Sequence, residues 1–223
     1  MQNIPDYSFF PLSKHDESSN ESFCRVLAQK LAVKIRPKLK LLYNYKLKTP
    51  LKEHLGREPT PKEIATKIKS QTEGRLWYRL RTDNQDRMYR TTSQTIKRES
   101  KNIYKKALIS SGNIGSLKLN PNIQMPAYLT KFDIHRKPGG YHYQSFKGDI
   151  SAGAQYDKVI TIHNMGSHGI NNDDPGKSIA VWIQKNFPEL KPLNILDLGC
   201  TIGNNTLPYK QAFPSSNVFG IDV

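Results

Sequence analysis

The residues best suited to bind a ligand lie near the end of the chain, where closely spaced glycines follow a short apolar run. The segment reads Ile195-Leu196-Asp197-Leu198-Gly199-Cys200-Thr201-Ile202-Gly203-Asn204-Asn205-Thr206. Glycines after a strand let the backbone turn sharply, and they let a ligand approach where a Cβ would otherwise stand. If a helix follows, its first N–H groups face the same ligand. The pattern therefore predicts a nucleotide-binding turn between a strand and a helix.

A second strand, predicted over residues 218–221, ends in an acid that suits a ribose. Asp222 follows Gly203 by 19 residues. A spacing of about 20 is typical between a nucleotide-binding turn and the acid that bonds a ribose diol. The dinucleotide fingerprint G-x-G-x-x-G is absent, because Thr201 stands where its second glycine would be. The charge of Asp197 would repel a pyrophosphate, so the segment favours a cofactor with a cationic amino-acid end.

Residues 197–203 resemble motif I of class I S-adenosylmethionine-dependent methyltransferases, which commonly has the form D-x-G-C-G-x-G. Residues 220–222 resemble the acidic motif that follows it in this family. The strong resemblance covers about 30 residues, from 194 to 223, and a weaker likeness reaches back to about residue 126. It is greatest to small-molecule methyltransferases. The resemblance implies a Rossmann-like fold, S-adenosyl-L-methionine as cofactor and a small-molecule methyl acceptor.

By this resemblance, six residues would contact the cofactor: Asp197, Gly199, Cys200, Thr201, Gly203 and Asp222. The two glycines would border its methionine and ribose portions. Asp197 would orient that end, directly or through water, and Asp222 would hold the ribose hydroxyls. Thr201 departs from the glycine usual at its position, and Cys200 is a routine occupant with no catalytic role. The resemblance identifies no catalytic base, and an ordinary strand-to-helix turn in another α/β protein is the alternative.

The fold class predicted for the chain is α/β, with a mainly helical, basic region over residues 1–125 and a methyltransferase domain from 126 to 223. That domain would begin a Rossmann-like fold with its first βαβ unit only: strands over 193–198 and 218–221, and a helix over 205–213. A complete Rossmann-like sheet has several more parallel strands. We therefore expect an incomplete methyltransferase domain with no activity of its own, whose last strand is poorly covered.

Charge is distributed unevenly along the chain, whose net charge is +15. Residues 151–223 contain five Lys, no Arg and six acids, a net charge of −1, so residues 1–150 carry +16. Clustered cations bind nucleic-acid phosphates and release counterions. Aromatic residues lie among the arginines, where they suit base stacking: Trp77, Tyr78 and Tyr89. The alternative function is therefore a basic nucleic-acid-binding protein or an RNA/DNA methyltransferase, although a solvated basic surface explains the charge more simply.

The remaining composition limits the chemistry. Cys24 and Cys200 lie far apart and outside any CxxC pair, which indicates reduced thiols in a cytoplasmic protein rather than a disulfide or a zinc site. No apolar run approaches the roughly 20 residues of a membrane span, so we predict no membrane partner. Four histidines lack the spacing of metal ligands, so we predict no metal site: His135, His142, His163 and His168.

Helical periodicity predicts a helix over residues 21–36, which Pro37 should end or kink. Thr60-Pro61-Lys62-Glu63 is a capping-box pattern before a short helix. Residues 75–108 fit one or two further helices, and residues 112–126 fit a turn-rich connector.

In the C-terminal half, residues 127–134 have the pattern of an extended segment, and residues 159–162 fit a strand or a helix equally well. Asp174-Pro175 should open a helix. Residues 138–142 and 153–157 are candidates to cover the cofactor, but a structural turn and a helix start explain them equally well.

Overall fold

The computed structural model describes residues 11–110, 115–120 and 122–222. The described chain is mostly helical, with one two-stranded parallel sheet. Its elements in the first half are α1 (His15–Lys30), a π-helical segment π1 (Leu31–Ile35), α2 (Arg36–Leu42), a second π-helical segment π2 (Tyr43–Leu47), α3 (Lys48–Leu55), α4 (Pro61–Lys69) and α5 (Thr72–Ser110). In the second half they are α6 (Ala127–Thr130), a 3-10 turn (Ile134–Arg136), α7 (Ser151–His163), α8 (Asp174–Asn186), β1 (Asn194–Leu198), α9 (Thr206–Ala212) and β2 (Asn217–Ile221).

Helices α1, α5 and α7 share the main apolar core. Its buried members are Cys24, Met88, Tyr89, Val159 and Ile162. Residues 159–162 are therefore helical, because only a helix puts positions 155, 159 and 162 on the face that meets α5. On that face the Gln155 amide donates to the Tyr89 carbonyl at 3.1 Å and to the Ser93 hydroxyl at 2.6 Å.

Two buried ion pairs tie α1 to this core. Glu21 meets Lys158 at 3.1 Å, and Glu17 meets Arg98 at 2.7 Å. Both carboxylates are buried, where an unpaired charge would be strongly unfavourable. Burial raises the pKa of Glu17, but hydrogen bonds from Arg98 and from the backbone N–H of Lys14 outweigh it, so the pKa is lowered overall. Glu17 therefore stays charged inside the fold.

Pro37 does not end the first helical run, which was one of the two outcomes predicted for it, the other being a kink. The run continues from His15 to Leu55 because π1 lies immediately before α2. In π1 the backbone N–H of Arg36 bonds the carbonyl of Leu31, five residues back. A proline ring normally clashes with the carbonyl four residues earlier, and the wider turn displaces that carbonyl. π2 likewise precedes Pro50.

The two π segments also keep one apolar row facing inward. Every fourth residue from 31 to 55 is apolar: Leu31, Ile35, Leu39, Tyr43, Leu47, Leu51 and Leu55. We call this row the seam; it packs toward α4 and α5. In a plain α-helix a four-residue repeat drifts about 40° per repeat, or roughly 240° over six repeats. Each π segment absorbs one extra residue, so two of them cancel about 200° of that drift.

The capping box before α4 is confirmed. The backbone N–H of Glu63 bonds the Thr60 hydroxyl, and the Glu63 carboxylate accepts from the backbone N–H of Thr60 at 2.8 Å. Residues 75–108 lie in one continuous helix, α5, of 39 residues. Of the predicted connector over 112–126, residues 115–120 and 122–126 contain no helix or strand, and the rest lies outside the described residues.

The predicted strand–helix–strand unit is present at the C-terminus. β1 and β2 pair in parallel, with Asn194 opposite Asn217 and Leu198 opposite Ile221. α8 begins at Asp174 as predicted and packs on α9. Contact between the two helices is close: a Cβ on Gly176 would stand 2.9 Å from the backbone of Asn205.

The prediction of an extended segment over residues 127–134 is wrong. Residues Ala127–Thr130 form one helical turn, and residues Ile134–Arg136 form a 3-10 turn. The carbonyl of Pro126 accepts from the N–H of Leu129 at 2.9 Å, which closes the first turn. The local turn thus outweighs the β propensity of the side chains.

The architecture is compatible with the α/β class: a small parallel sheet with helices beside a larger helical region. Few residues pack over the apolar side chains of the sheet, and for β2 this agrees with the expectation of a poorly covered last strand. Phe219 and Ile221 of β2 are each 53% exposed, and Leu198 of β1 is 70% exposed. Among the described residues, no helix has both the length and the apolar character needed to cross a membrane.

Candidate nucleotide-binding site

The glycine turn joins β1 to α9 in left-handed backbone conformations. Gly199 has φ 74° and Gly203 has φ 86°, values that glycine adopts without steric cost. Between them Thr201 has φ 50°, which is rare for a β-branched residue. The N–H of Gly199 donates to the carbonyl of Ile221 at 2.8 Å, so the turn folds over the end of β2.

Asp222 holds this turn from the end of β2. Its Oδ2 accepts a hydrogen bond from the backbone N–H of Thr201 at 2.6 Å. The bond fixes the turn at its strained residue. The sequence predicted that Thr201 and Asp222 contact one ligand, and the structure brings the two residues together.

Asp197 has a different position. Its Oδ2 accepts from the Thr206 hydroxyl at 2.6 Å, which links β1 to the first residue of α9. A carboxylate at this point also interacts favourably with the positive N-terminal end of the helix dipole. The contact of Asp197 with a cofactor remains a prediction, since the described geometry assigns its carboxylate to the helix start.

Cys200 lies near both carboxylates and against β2. Burial raises the pKa of its thiol, and the negative charges of Asp222 and Asp197 raise it further. The thiol therefore stays protonated at neutral pH. A Cβ on Gly220 would stand 2.9 Å from the Cys200 sulfur, so this pair also fixes how closely the turn approaches β2.

A cavity of about 410 Å³ opens beside the turn. Its lining includes Thr201, Ile202 and Asp222 from the turn and β2. The opposite wall comes from α6, α7 and the loop between them: Leu129, His135, Tyr141, His142, Gly153 and Tyr156. The volume lies within the range of small-molecule sites. Asp197, Gly199, Cys200 and Gly203 are not among the described residues that line it.

The segments singled out as candidate covers thus reach the turn. Gly153 lies in the first turn of α7, and a Cβ there would stand 3.2 Å from the Ile202 side chain, so an alanine would require that side chain to shift by a few tenths of an ångström. The Asn204 amide donates to the carbonyl of Asn171 at 3.0 Å and to Asp157 at 3.4 Å. Burial raises the pKa of Asp157, although hydrogen bonds from Asn172 and Asn204 oppose the shift.

A hydrogen-bonded chain of side chains ends at the cavity. The hydroxyls of Tyr89 and Tyr141 lie 2.9 Å apart, and the Tyr141 hydroxyl lies 2.9 Å from Nδ1 of His135. Burial raises the pKa of Tyr141, and the bond to Tyr89 raises it further. Both phenols therefore remain protonated at neutral pH.

The backbone at His135 is strained, with φ 55°, and Arg136 follows at φ 61°. Three hydrogen bonds hold it there. The Gln85 amide donates to the His135 carbonyl. The Arg136 guanidinium donates to both oxygens of Asp86, from Nε and from Nη2, the latter at 2.7 Å. Strained residues held in this way cluster at functional sites. Sequence reasoning weighed His135 only as a metal ligand and missed its place in the cavity wall, because the signal is backbone geometry and contacts with α5, about 50 residues away.

Among the described residues, no three His, Cys, Asp or Glu side chains are grouped so that they could hold a metal ion. Comparison with known proteins found no matching family model, no similar curated protein and no similar solved structure.

Proposed function

We propose that the cavity beside the glycine turn binds S-adenosyl-L-methionine and that the chain carries the cofactor-binding part of a class I methyltransferase with a Rossmann-like fold. One observation carries the proposal: Asp222, at the end of β2, and Thr201, in the turn after β1, line one cavity and are joined by a 2.6 Å hydrogen bond. In a parallel sheet, ligands bind at this edge, where the strands end.

The charge at the turn favours this cofactor over a dinucleotide. Asp197 and Asp222 both lie near Cys200, and after burial their negative charges raise the pKa of its thiol. A pyrophosphate would be repelled there, whereas a sulfonium and an ammonium group would be attracted. S-adenosylmethionine, when bound, supplies a methyl group on a sulfonium, which an acceptor nucleophile can displace.

The chain's own residues would divide the remaining tasks. Asp222 would accept hydrogen bonds from the ribose hydroxyls, and the left-handed glycines keep the turn free of Cβ atoms. Tyr141, His142 and Tyr156 would close the cavity from the opposite wall and exclude water. Residues 194–223 resemble small-molecule methyltransferases most, so a small-molecule substrate is the class we infer. Holding the reactants in line accounts for most of the expected rate enhancement.

Calorimetry with S-adenosylhomocysteine and S-adenosylmethionine tests the proposal on the 223-residue chain. We expect both ligands to bind, and Asp222→Asn to weaken binding by about 1–3 kcal/mol, because it removes a charged acceptor from the ribose hydroxyls. The asparagine oxygen can still accept from Thr201, so the turn should keep its shape. Glu189→Gln, on the exposed loop before β1, is the control and should leave the affinity unchanged. A folded chain that produces no heat with either ligand would refute the proposal.

A further inference from the structure

The helical run from Lys30 to Lys52 presents two rows of cations that its seam holds in place. Because the apolar residues of the seam recur every four residues, cations with the same spacing stay on one side of it. The first basic row contains Lys30, Lys34, Lys38 and Lys46, and the second basic row contains Arg36, Lys40, Lys48 and Lys52. All eight side chains are exposed, whereas Leu31, Leu39 and Leu47 of the seam are buried.

The two rows lie on opposite flanks of the same helical run. With about four residues per turn, neighbours in sequence are separated by roughly 90°, so residues before and after each seam leucine project to opposite sides. The run from 30 to 52 is about 35 Å long. The rows are therefore extended along a line, which matches a linear polyanion better than a compact anion.

Acids do not neutralise this surface. No Asp or Glu occurs between Glu21 and Glu53, a stretch that holds nine bases: Arg25 and the eight residues of the two rows. Within the part of the chain that the structure describes, Lys52 is the one member of the rows with an ion-pair partner, Glu58. The other seven cations keep their charge available for an external ligand.

A cleft of about 250 Å³ adjoins the second basic row. Arg36 lines it, together with Arg81, Trp77 and His163. The Arg81 guanidinium lies 5.7 Å from the centre of the Trp77 ring, and the Trp77 indole N–H is buried without a hydrogen-bond partner. Burial lowers the pKa of His163, and the charge of Arg81 lowers it further. Positive potential therefore continues from the row into a pocket with an aromatic wall.

The side of the run opposite the seam distinguishes a nucleic acid from an anionic membrane surface as the partner. It carries the exposed residues Val33, Pro37, Leu41 and Tyr45. A helix that inserts into a membrane surface needs a broad apolar face rich in Trp, Phe and Leu. Here the broad apolar face is the buried seam, and the exposed strip is one residue wide and includes a proline. Tyr45, 84% exposed, offers a ring on which a base can stack.

We propose that the two basic rows over residues 30–52 bind the phosphate backbone of a nucleic acid, with Tyr45 and the cleft at Trp77 available to bases. The contacts are to phosphates, so binding should depend steeply on salt and weakly on sequence. The inference is independent of methyl transfer, because it needs neither the glycine turn nor a methyl donor.

Fluorescence anisotropy with a labelled 20-nucleotide single-stranded RNA and a 20-base-pair DNA duplex tests the proposal. We expect the 223-residue chain to bind at least one probe, and K34Q/K38Q/K40Q/K48Q, which neutralises two positions in each row, to lose at least tenfold in affinity at 100 mM salt. The slope of log K against log salt, which is negative, should become shallower by about three. Glutamine has nearly the helix propensity of lysine, so circular dichroism should show an unchanged helix content.

The matched control is K118Q/K147Q/K185Q/K191Q, which removes the same four charges from exposed positions outside the rows. It should retain most of the affinity. The proposal is wrong if the two quadruple variants lose affinity equally, since net charge alone would then explain binding, or if neither probe binds at 50 mM salt. It is also wrong if vesicles of phosphatidylserine and phosphatidylcholine bind through the rows while the nucleic acids do not.

Discussion

The helical region buries charged side chains beside its apolar core, whereas the C-terminal strand–helix–strand unit leaves apolar side chains exposed. Helices α1, α5 and α7 enclose charged residues, with Glu17 and Glu21 almost fully covered and paired. The two strands instead leave apolar side chains in contact with solvent, including Leu198, Phe219 and Ile221. A buried charge is costly unless it is paired, so the helical region depends on specific partners. The strand unit would be stabilised by elements packed over its apolar surface, but much of that surface is exposed.

The largest expected effect comes from breaking a buried pair in the helical region. Lys158→Met leaves the Glu21 carboxylate buried without its cation, which should lower the free energy of unfolding by about 3–5 kcal/mol. Urea denaturation followed by circular dichroism measures the change. Lys52→Met, which breaks the exposed pair with Glu58, is the control and should cost no more than about 1 kcal/mol. Equal losses in the two variants would contradict the contrast between buried and exposed pairs.

The same comparison can be sharpened with isoleucines. Ile162→Ala removes a side chain that is 2% exposed, and we expect it to lower the free energy of unfolding by about 2–5 kcal/mol. Ile221→Ala removes one that is 53% exposed, and it should cost under about 1 kcal/mol, mostly through β propensity. If both substitutions cost the same in urea denaturation, β2 must be covered in solution.

A smaller effect of opposite sign is expected in the glycine turn. Thr201 has φ 50°, a conformation that costs a β-branched residue on the order of 1–3 kcal/mol. Thr201→Gly relieves this strain, offset by the added backbone entropy of glycine, so stability should rise by about 1 kcal/mol. Gly203→Ala, at φ 86°, should lower stability instead. A destabilised Thr201→Gly chain would show that the threonine side chain has a packing role in the turn.

Features of the structure that depend on neighbouring residues could be predicted from the sequence. The capping box at Thr60, the helix start at Asp174 and the two strands around the glycine turn were all predicted within a residue or two. Each depends on neighbours within a few positions, such as a hydroxyl that caps a helix or glycines at the end of a strand. Thr201 and Asp222 were assigned to one cofactor site, and they lie close together because parallel strands end at one edge, but their direct hydrogen bond was not predicted.

Features that depend on contacts between distant residues could not be predicted from the sequence. Pro37 lies within a continuous helical run because π1 widens the turn before it, and the seam that favours this packs on α4 and α5. Residues 159–162 are helical because α7 must meet α5. His135 owes its strained backbone to Gln85 and Asp86, about 50 residues earlier. The four-residue repeat of the seam is visible around Pro37 in the sequence, but the contacts of α7 and of His135 with α5 have no signature in the residues nearby.

The π segments also determine which changes in chain length this run can tolerate. A seven-residue step and an eight-residue step with one π segment both complete about two turns. Loss of one residue inside Leu31–Ile35 would therefore convert the wide turn to an ordinary one, while the residues beyond it keep their directions. Gain of one residue in α2, which contains no wide turn, would rotate everything beyond it by about 100°. A deletion at π1 would thus keep the seam facing inward but restore the clash between the Pro37 ring and the preceding turn, whereas an insertion in α2 would break the seam.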